Sequence, residues 1–200
     1  MSEQAPSPEK KHIITIGGRP GSGKSTTSKA VAAELGFDHY SSGDRFRAIG
    51  AEHQLDLLSA NKVAENDSTV DFIIDGELRD IGEIGDRIVI DSRMAWHWIP
   101  QSFKVYLDLD TAVAARRILA KEDAKRASQE KVATDPEEYA KDLDERTASE
   151  KKRYDALYGV NPYDISPEAN HYDLIVDTAQ NDADHAAQLV IDAFRRWIES

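Results

Sequence analysis

The fold is decided by one stretch, HIITIGGRPGSGKS, which runs from His12 to Ser25. Its first five residues form a short, largely β-branched run, and such runs favour strands. A glycine-rich loop follows, and then a helix-like segment from Lys24 to Leu35 that closes at Gly36. In the order strand, glycine loop, helix, the pattern G-x-x-x-x-G-K-S is typical of a loop that binds phosphate. A flexible Gly-Ser turn is the plainer interpretation, and the flanking strand and helix make it the weaker one.

The chemistry expected of this loop follows from its glycines. Without a Cβ, the backbone adopts positive dihedral angles and its amides approach anionic oxygens closely. We expect Lys24 to reach the β and γ phosphates of a nucleotide, and Ser25 to bind Mg²⁺ through its hydroxyl, at the positive end of the helix dipole. The residues predicted to surround the donor phosphates are Gly18, Arg19, Pro20, Gly21, Ser22, Gly23, Lys24, Ser25 and Thr26.

Length and composition bound the class of protein. The 200-residue chain carries a net charge of −12, and 40% of its residues are hydrophobic. These values predict one globular domain over residues 12–200, preceded by a disordered tail over residues 1–11. The acidic charge opposes attraction to nucleic acid and to anionic lipid, and no apolar run has the length of a membrane helix. Because cysteine is absent, disulfides and thiolate metal sites are excluded. We expect a cytoplasmic monomer.

Short apolar runs alternate with helical patterns along the rest of the chain. The runs cover residues 37–40, 87–91, 103–108 and 172–177, and the clearest helical patterns cover residues 110–121 and 182–198. Apolar strands separated by helices predict an α/β fold with a buried parallel sheet. In the last helix we expect one buried face, formed by Ala186, Leu189, Val190, Ala193, Phe194 and Trp197.

Two polar helical segments interrupt this alternation. Residues 41–86 separate the second and third strands, and residues 121–153 precede the last strand. Both follow the carboxyl ends of strands, where open parallel sheets bind their ligands. We therefore interpret both segments as inserts that complete a ligand site.

The phosphate loop alone does not decide the reaction. A GTPase needs Asp-x-x-Gly and Asn-Lys-x-Asp, and the chain has neither pattern. Asp91 ends an apolar strand, as in ATPases, but Ser92 and Arg93 follow it where a hydrolytic enzyme has a glutamate. This favours transfer to a bound acceptor over hydrolysis. For Asp91 itself three roles stay open: binding Mg²⁺ through water, contacting the acceptor, or orienting Arg93.

Arginines supply the cations that a second phosphate requires, because phosphoryl transfer depends on positioning and on charge stabilisation. The residues expected to hold an acceptor phosphate follow the second and third strands and are Ser42, Gly43, Arg47, Asp91 and Arg93. Arg146 and Arg153 are seven residues apart, which places them on one helix face two turns apart. We expect these two arginines to close over the phosphates as catalytic cations, together with Lys24.

These motifs, in this order, resemble the nucleoside monophosphate kinases, and most closely the archaeal-type cytidylate kinases. Besides the loop, the similarity rests on SGDRFR ending at Arg47, on Arg93, on Arg146 and Arg153, and on KRYDALYG ending at Gly159. The resemblance implies a three-layer α/β/α fold with five parallel strands in the order 2-3-1-4-5. It also implies a helical nucleotide-binding insert at about residues 41–86 and a lid at about residues 121–153.

The same resemblance implies a reaction and roles for the arginines. ATP is then the donor, CMP or dCMP the acceptor, and Mg²⁺ the cofactor. Arg47 and Arg93 hold the acceptor phosphate, while Arg146 and Arg153 are the lid arginines. Two positions depart from a family pattern: Ser92 replaces a usual glycine, and Met94 stands where bacterial cytidylate kinases have an aspartate. The archaeal-type pattern is apolar there, so Met94 favours that branch.

Several alternatives remain open from the sequence. The chain could be a kinase for UMP, AMP or another small metabolite, or a nucleotide-gated binding module without turnover. Trp96, His97 and Trp98 either stack on a base or pack against the core. Asp71 and Asp75, one helical turn apart, either accept hydrogen bonds from a cytosine amino group or are solvated carboxylates.

Overall fold

The computed structural model describes residues 10–52, 68–120 and 135–200. Its strands are β1 Ile13–Gly18, β2 Asp38–Ser41, β3 Ile88–Asp91, β4 Phe103–Asp108 and β5 Leu174–Asp177. Its helices are α1 Lys24–Leu35, α2 Ser42–Glu52, α3 Thr69–Ile84, α4 Ala95–Trp98, α5 Thr111–Ala120, α6 Pro136–Tyr158 and α7 Ala183–Glu199. Residues 1–9 of the predicted tail, 53–67 of the first insert and 121–134 of the predicted lid lie outside the described residues.

The five described strands form one parallel sheet in the order β2-β3-β1-β4-β5, as predicted. β1 is central, and all six of its residues are buried. Its three isoleucines, Ile13, Ile14 and Ile16, are fully buried, and each buried side chain of this size stabilises the fold by roughly 1.5–3 kcal/mol. The strand before the glycine loop is therefore anchored on both sides and on both faces.

Helices cover both faces of this sheet, because successive strand residues point to opposite sides. Ile14 and Ile16 face one layer, where they pack with Val31 of α1 and Phe194 of α7. Ile13 faces the other layer, which includes residues of α2, α3 and α4. The predicted three-layer α/β/α architecture is thus confirmed.

α6 does not rest on the sheet directly and packs instead on α5. Tyr139 and Leu143 of α6 form a small buried cluster with Ala114 and Ala115 of α5 and with Leu109. This contact holds α6 above the carboxyl end of the sheet, where its remaining length faces the glycine loop and α3.

Element boundaries differ from the predicted ones by one or two residues. β1 extends beyond Ile16 because Gly17 and Gly18 pair with Tyr106 and Leu107 of β4. The last strand begins at Leu174 and not at Tyr172. Tyr172 packs beside Tyr106, and its hydroxyl donates to the carbonyl oxygen of Pro162 at 2.6 Å.

The predicted buried face of α7 is partly wrong. Leu189 is 37% exposed, whereas Ala187 and Ile191 are buried. Successive helix residues turn by about 100°, so Leu189 lies about 200° from Ala187 and points away from the layer below. The contact stripe of α7 runs through Ala187, Val190, Ile191 and Phe194.

None of the helices in the described ranges combines the length and the apolar content that a membrane span needs.

Candidate active site

The glycine loop encloses a space at the carboxyl end of β1. Gly18 has a φ of 143°, and a Cβ at this position would lie 2.5 Å from the carbonyl oxygen of Leu107, so a larger residue cannot fit. Gly23 has a φ of 88° and caps the start of α1. The first amides of α1 lack partners within the helix and are directed at this space. Backbone and helix dipole together thus form an anion site.

Lys24 lies inside this loop. Its Nζ donates to the carbonyl oxygens of Gly18 at 2.8 Å and Arg19 at 2.9 Å. Burial and the positive charge of Arg93 lower the pKa of Lys24 from 10.5 to about 7, although Asp91 acts in the opposite direction. A bound anion favours the charged form of a lysine. The charge of Lys24 therefore depends on phosphate: a bound phosphate favours the protonated amine, and without it the neutral amine is also populated near pH 7.

Ser25 and Asp91 meet at the carboxyl ends of the neighbouring strands β1 and β3. β3 pairs with β1 so that Asp91 lies beside Ile16, and the Ser25 hydroxyl donates to Asp91 Oδ2 at 2.6 Å. Mg²⁺ prefers hard oxygen ligands and often keeps waters and substrate phosphates among them. Across residues 10–52, 68–120 and 135–200, no cluster of three or more His, Asp or Glu side chains suits a metal. Ser25 and Asp91 fit a Mg²⁺ that arrives with a nucleotide, and this contact favours the magnesium role among the three considered for Asp91.

Arg47 is held over the first turn of α2. The Asp44 amide donates to the Ser41 hydroxyl at 3.2 Å, and the Asp44 carboxylate forms an ion pair with Arg47. The Arg47 guanidinium lies against Gly43, and a Cβ added to Gly43 would be 3.5 Å from Arg47 Nη1. Ser42 and Gly43 line the same cavity as Arg47. The segment after β2 thus presents a cation beside a small residue.

Glu150 of α6 connects two of the predicted site arginines. Its Oε2 lies 2.8 Å from Arg93 Nε, its Oε1 accepts from Arg146 Nε at 3.1 Å, and the hydroxyl of Tyr163 donates to it. Burial alone would raise the pKa of Glu150, but Arg93 and Arg146 outweigh it and lower that pKa to about 2. Glu150 is therefore an ionised carboxylate that fixes two cations at the site.

Sequence reasoning missed Glu150 and Tyr163. Glu150 lies four residues after Arg146 and three before Arg153, so helical spacing alone places it on the arginine face. That signal was available. Tyr163 comes from the segment after α6, and only the folded chain shows that it reaches back to Glu150.

Arg153 faces α3 from α6. Its Nε lies 3.5 Å from Asp71 Oδ2, and its guanidinium also lies 5.2 Å from the centre of the Tyr154 ring. Burial raises the pKa of Asp71 from 3.8 to about 6, while Arg153 acts in the opposite direction. Asp71 is not the solvated carboxylate considered from the sequence, because only 6% of it is exposed.

Asp75 is also buried, and protein donors already bind both of its oxygens. Trp98 Nε1 donates to Oδ1 at 2.8 Å, and the Tyr158 hydroxyl donates to Oδ2. Arg79 lies 3.9 Å from the centre of the Trp98 ring. This carboxylate therefore fastens α3 to α4 and to the end of α6.

The aromatic residues near the end of β3 pack within the protein. Trp96 stacks on His171 with ring centres 4.3 Å apart and also contacts Tyr172. His97 contacts Trp96 and Trp98. In the described part of the chain, these three residues of α4 do not line the cavity beside the glycine loop. Packing is therefore the interpretation that the contacts support.

The predicted site residues converge on one cavity of about 690 Å³. Its walls are the glycine loop, the start of α2, one face of α3, the end of β3, the end of α5, the inner face of α6 and the start of α7. Of the predicted residues it includes Pro20, Gly21, Ser22, Gly23, Lys24, Ser25, Thr26, Ser42, Gly43, Arg47, Asp91, Arg93, Arg146 and Arg153. Gly18 and Arg19 do not line it. The Gly18 carbonyl binds Lys24, and Arg19 donates to Thr111 Oγ1 at 3.4 Å.

Solved structures share this fold at low sequence identity. A shikimate kinase from Acinetobacter baumannii matches with a TM-score of 0.56 and 17% identity, over 94% of this chain and 95% of that one. A gluconokinase from Sinorhizobium meliloti matches with a TM-score of 0.58 and 12% identity, over 94% of each chain. These likenesses establish the fold alone.

Sequence comparisons are more specific. A family model described as an AAA domain matches residues 14–137. A cytidylate kinase from Halobacterium salinarum is 35% identical over 184 residues, which cover 90% of this chain and 88% of that protein. A cytidylate kinase from Methanopyrus kandleri is 32% identical, over 94% of this chain and 95% of that protein. With nearly full-length matches above 30% identity, the chain belongs to the cytidylate kinase family.

Proposed function

We propose that the chain transfers the γ-phosphoryl group of ATP to CMP or dCMP in the presence of Mg²⁺. One observation carries this proposal: the cavity that contains the glycine loop also contains Arg47, Arg93, Arg146 and Arg153. A protein that only binds a triphosphate has no need for a second group of arginines at the same cavity. The names of the relatives supply the identity of the acceptor.

The proposed reaction needs no general base. A phosphate oxygen of the acceptor is already ionised at neutral pH and attacks the γ-phosphorus, and the bond to the departing ADP oxygen breaks. Catalysis then consists of alignment and of stabilising the charge on the transferred group. Bound Mg²⁺ would neutralise charge on the donor phosphates near Ser25 and Asp91. Lys24 contributes a cation from the loop side, and Arg146 and Arg153 contribute cations from α6.

The arginines of the cavity are held in contacts that phosphates can replace. Arg47 binds Asp44, Arg93 and Arg146 bind Glu150, and Arg153 lies beside Asp71. Arginine forms bidentate contacts with phosphate as readily as with carboxylate. The cations are thus positioned before the substrates arrive, and α6 covers the cavity so that water is excluded once they are bound.

An acceptor panel tests the proposed function. The protein is incubated with ATP and Mg²⁺ and with CMP, dCMP, UMP, AMP or GMP, and ADP formation is measured for each. We expect the cytidine nucleotides to give the highest kcat/KM. Lys24→Ala serves as the control that the activity belongs to this protein. Preference for another acceptor would overturn the assignment to cytidylate, and the absence of transfer to any acceptor would overturn the kinase assignment.

A further inference from the structure

The cavity has a second, differently built half on the side of α3. Asp71, Ile74, Asp75 and Leu78 of α3 line it, and their spacing of three and four residues places them on one helix face. Phe46 and Met94 add apolar surface to the same cavity. An apolar wall with a few fixed polar groups suits a flat heterocycle better than it suits a phosphate.

The other carboxylates of the cavity have partners that account for them. Asp91 accepts from Ser25, Glu150 binds Arg93 and Arg146, and Asp75 accepts from Trp98 and Tyr158. Asp182 accepts from the His185 amide at the start of α7. Each of these side chains therefore has a structural contact that explains its position.

Asp71 differs from them. It is 6% exposed, and no group in residues 10–52, 68–120 or 135–200 forms a hydrogen bond with its buried Oδ2. Arg153 Nε lies 3.5 Å from this oxygen as an ion-pair partner, and within the same residues it also lacks a hydrogen bond. A buried carboxylate oxygen that lacks a donor is destabilising. An oxygen of this kind in a cavity wall points to a ligand that brings the missing donor.

The negative charge of Asp71 restricts which part of a nucleotide can supply the donor. A phosphate carries no donor at neutral pH, and its negative charge is repelled by a carboxylate. The remaining donors of a nucleotide are the N–H groups of its base and the hydroxyls of its sugar, and the apolar Ile74 and Leu78 beside Asp71 suit the base better than the sugar. Cytosine presents an amino group at its 4-position, whereas uracil presents a carbonyl oxygen there, which a carboxylate repels.

We propose that Asp71 determines base specificity by accepting a hydrogen bond from the 4-amino group of the cytosine ring. This inference rests on the proposed function and names the residue that selects the acceptor. Asp75, one turn further along α3, is a positioning residue, because Trp98 and Tyr158 use both of its oxygens. The apolar wall formed by Ile74 and Leu78 holds the face of the ring beside Asp71.

The test compares three Asp→Asn changes on the same helix. Asp71→Asn introduces an amide, which donates as well as accepts and so tolerates the oxygen of uracil. We expect the ratio of kcat/KM for CMP to that for UMP to fall at least about tenfold, as for the loss of one matched polar contact. KM for ATP should stay unchanged. Asp75→Asn should lower the melting temperature and affect both acceptors alike, and the exposed Asp80→Asn should change neither.

A second measurement uses the unaltered protein. The ribonucleotide of 2-pyrimidinone is CMP without its 4-amino group, and we expect its kcat/KM to be at least about tenfold below that of CMP. The difference should become smaller in Asp71→Asn, because the neutral amide oxygen is a weaker acceptor than the carboxylate. If the unaltered protein prefers CMP but does not discriminate against this analogue, or if Asp71→Asn keeps the original preference, the role of Asp71 is wrong while the proposed function stands. If the unaltered protein phosphorylates no pyrimidine nucleotide, the proposed function itself fails.

Discussion

At the loop end of the cavity the main cation is Lys24, and at the α6 end the cations are Arg93, Arg146 and Arg153. Lys24 contacts loop carbonyl oxygens, and its pKa is lowered to about 7 by burial and by Arg93. The three arginines cannot lose their charge, and each has a carboxylate beside it. Repulsion among these cations is thus reduced in two ways: the lysine can release a proton, and the arginines form ion pairs with carboxylates.

The two ends also differ in which contacts must change when substrates bind. At the loop end, binding phosphate requires a proton, and Lys24 Nζ has to turn from the carbonyl oxygens of Gly18 and Arg19 toward the phosphate. At the α6 end it requires arginine nitrogens to turn from carboxylates toward phosphate oxygens. Removing one charged side chain therefore has a different effect on activity at the two ends.

The largest effect is expected at the loop end. Lys24→Ala removes the cation that we propose contacts the transferred group, and it should lower kcat at least about a hundredfold, as for the loss of one stabilising contact in the transition state. Steady-state ADP formation at saturating ATP and CMP measures this loss. A variant with near-normal turnover would contradict the role of the loop end in catalysis.

A smaller effect is expected at the α6 end. Glu150→Gln leaves Arg93 and Arg146 without their shared anion, so both should move away from their present positions. We expect KM for CMP to rise about tenfold, which corresponds to about 1.4 kcal/mol, with a lower melting temperature. Glu145→Gln on the exposed side of the same helix is the control. If Glu150→Gln lowers only the melting temperature and leaves KM unchanged, Glu150 supports the fold without positioning the arginines.

The smallest effect expected is a change in protonation. At pH 8 Lys24 is mostly neutral before ATP binds, since burial and the charge of Arg93 lower its pKa to about 7. That value also includes the smaller lowering by Arg146 and the raising by Asp91 and Glu150. We expect the phosphates of ATP to raise the pKa of Lys24, so binding should take up a fraction of a proton, approaching about one per ATP. Calorimetry of ATP binding in buffers of different ionisation enthalpy measures this uptake, and Lys24→Ala should abolish it. If the unaltered protein and Lys24→Ala take up equal amounts of proton, Lys24 is already charged before ATP binds.

The sequence predicts the loop end better than the α6 end. The loop is a run of consecutive residues whose backbone does the binding, so its geometry is local and Gly18 to Ser25 suffice to identify it. The contact between Ser25 and Asp91 depends on the register between β1 and β3, which the pattern of apolar runs does not specify. The strand order followed from the family resemblance, and the sheet confirms it.

Tertiary burial explains what the sequence could not give. Asp71 and Asp75 look like ordinary surface acids on an acidic chain, and only the packing of α3 against α4 and α6 removes them from water. Leu189 was expected on the buried face of α7 because it fits a helical period. The helix is rotated so that Ala187 and Ile191 take that place, and period alone does not set the rotation.

Tyr163 and Glu150 lie thirteen positions apart and share a hydrogen bond. The return of the chain is possible because α6 ends at Gly159, whose φ of 68° turns the backbone out of the helix. This hydrogen bond ties α6 mechanically to the segment that follows it. Any outward displacement of α6 would therefore strain the segment that leads to β5 or break the Tyr163 hydrogen bond. Because β5 belongs to the same sheet as β1, the rigidity of that sheet would resist such a displacement.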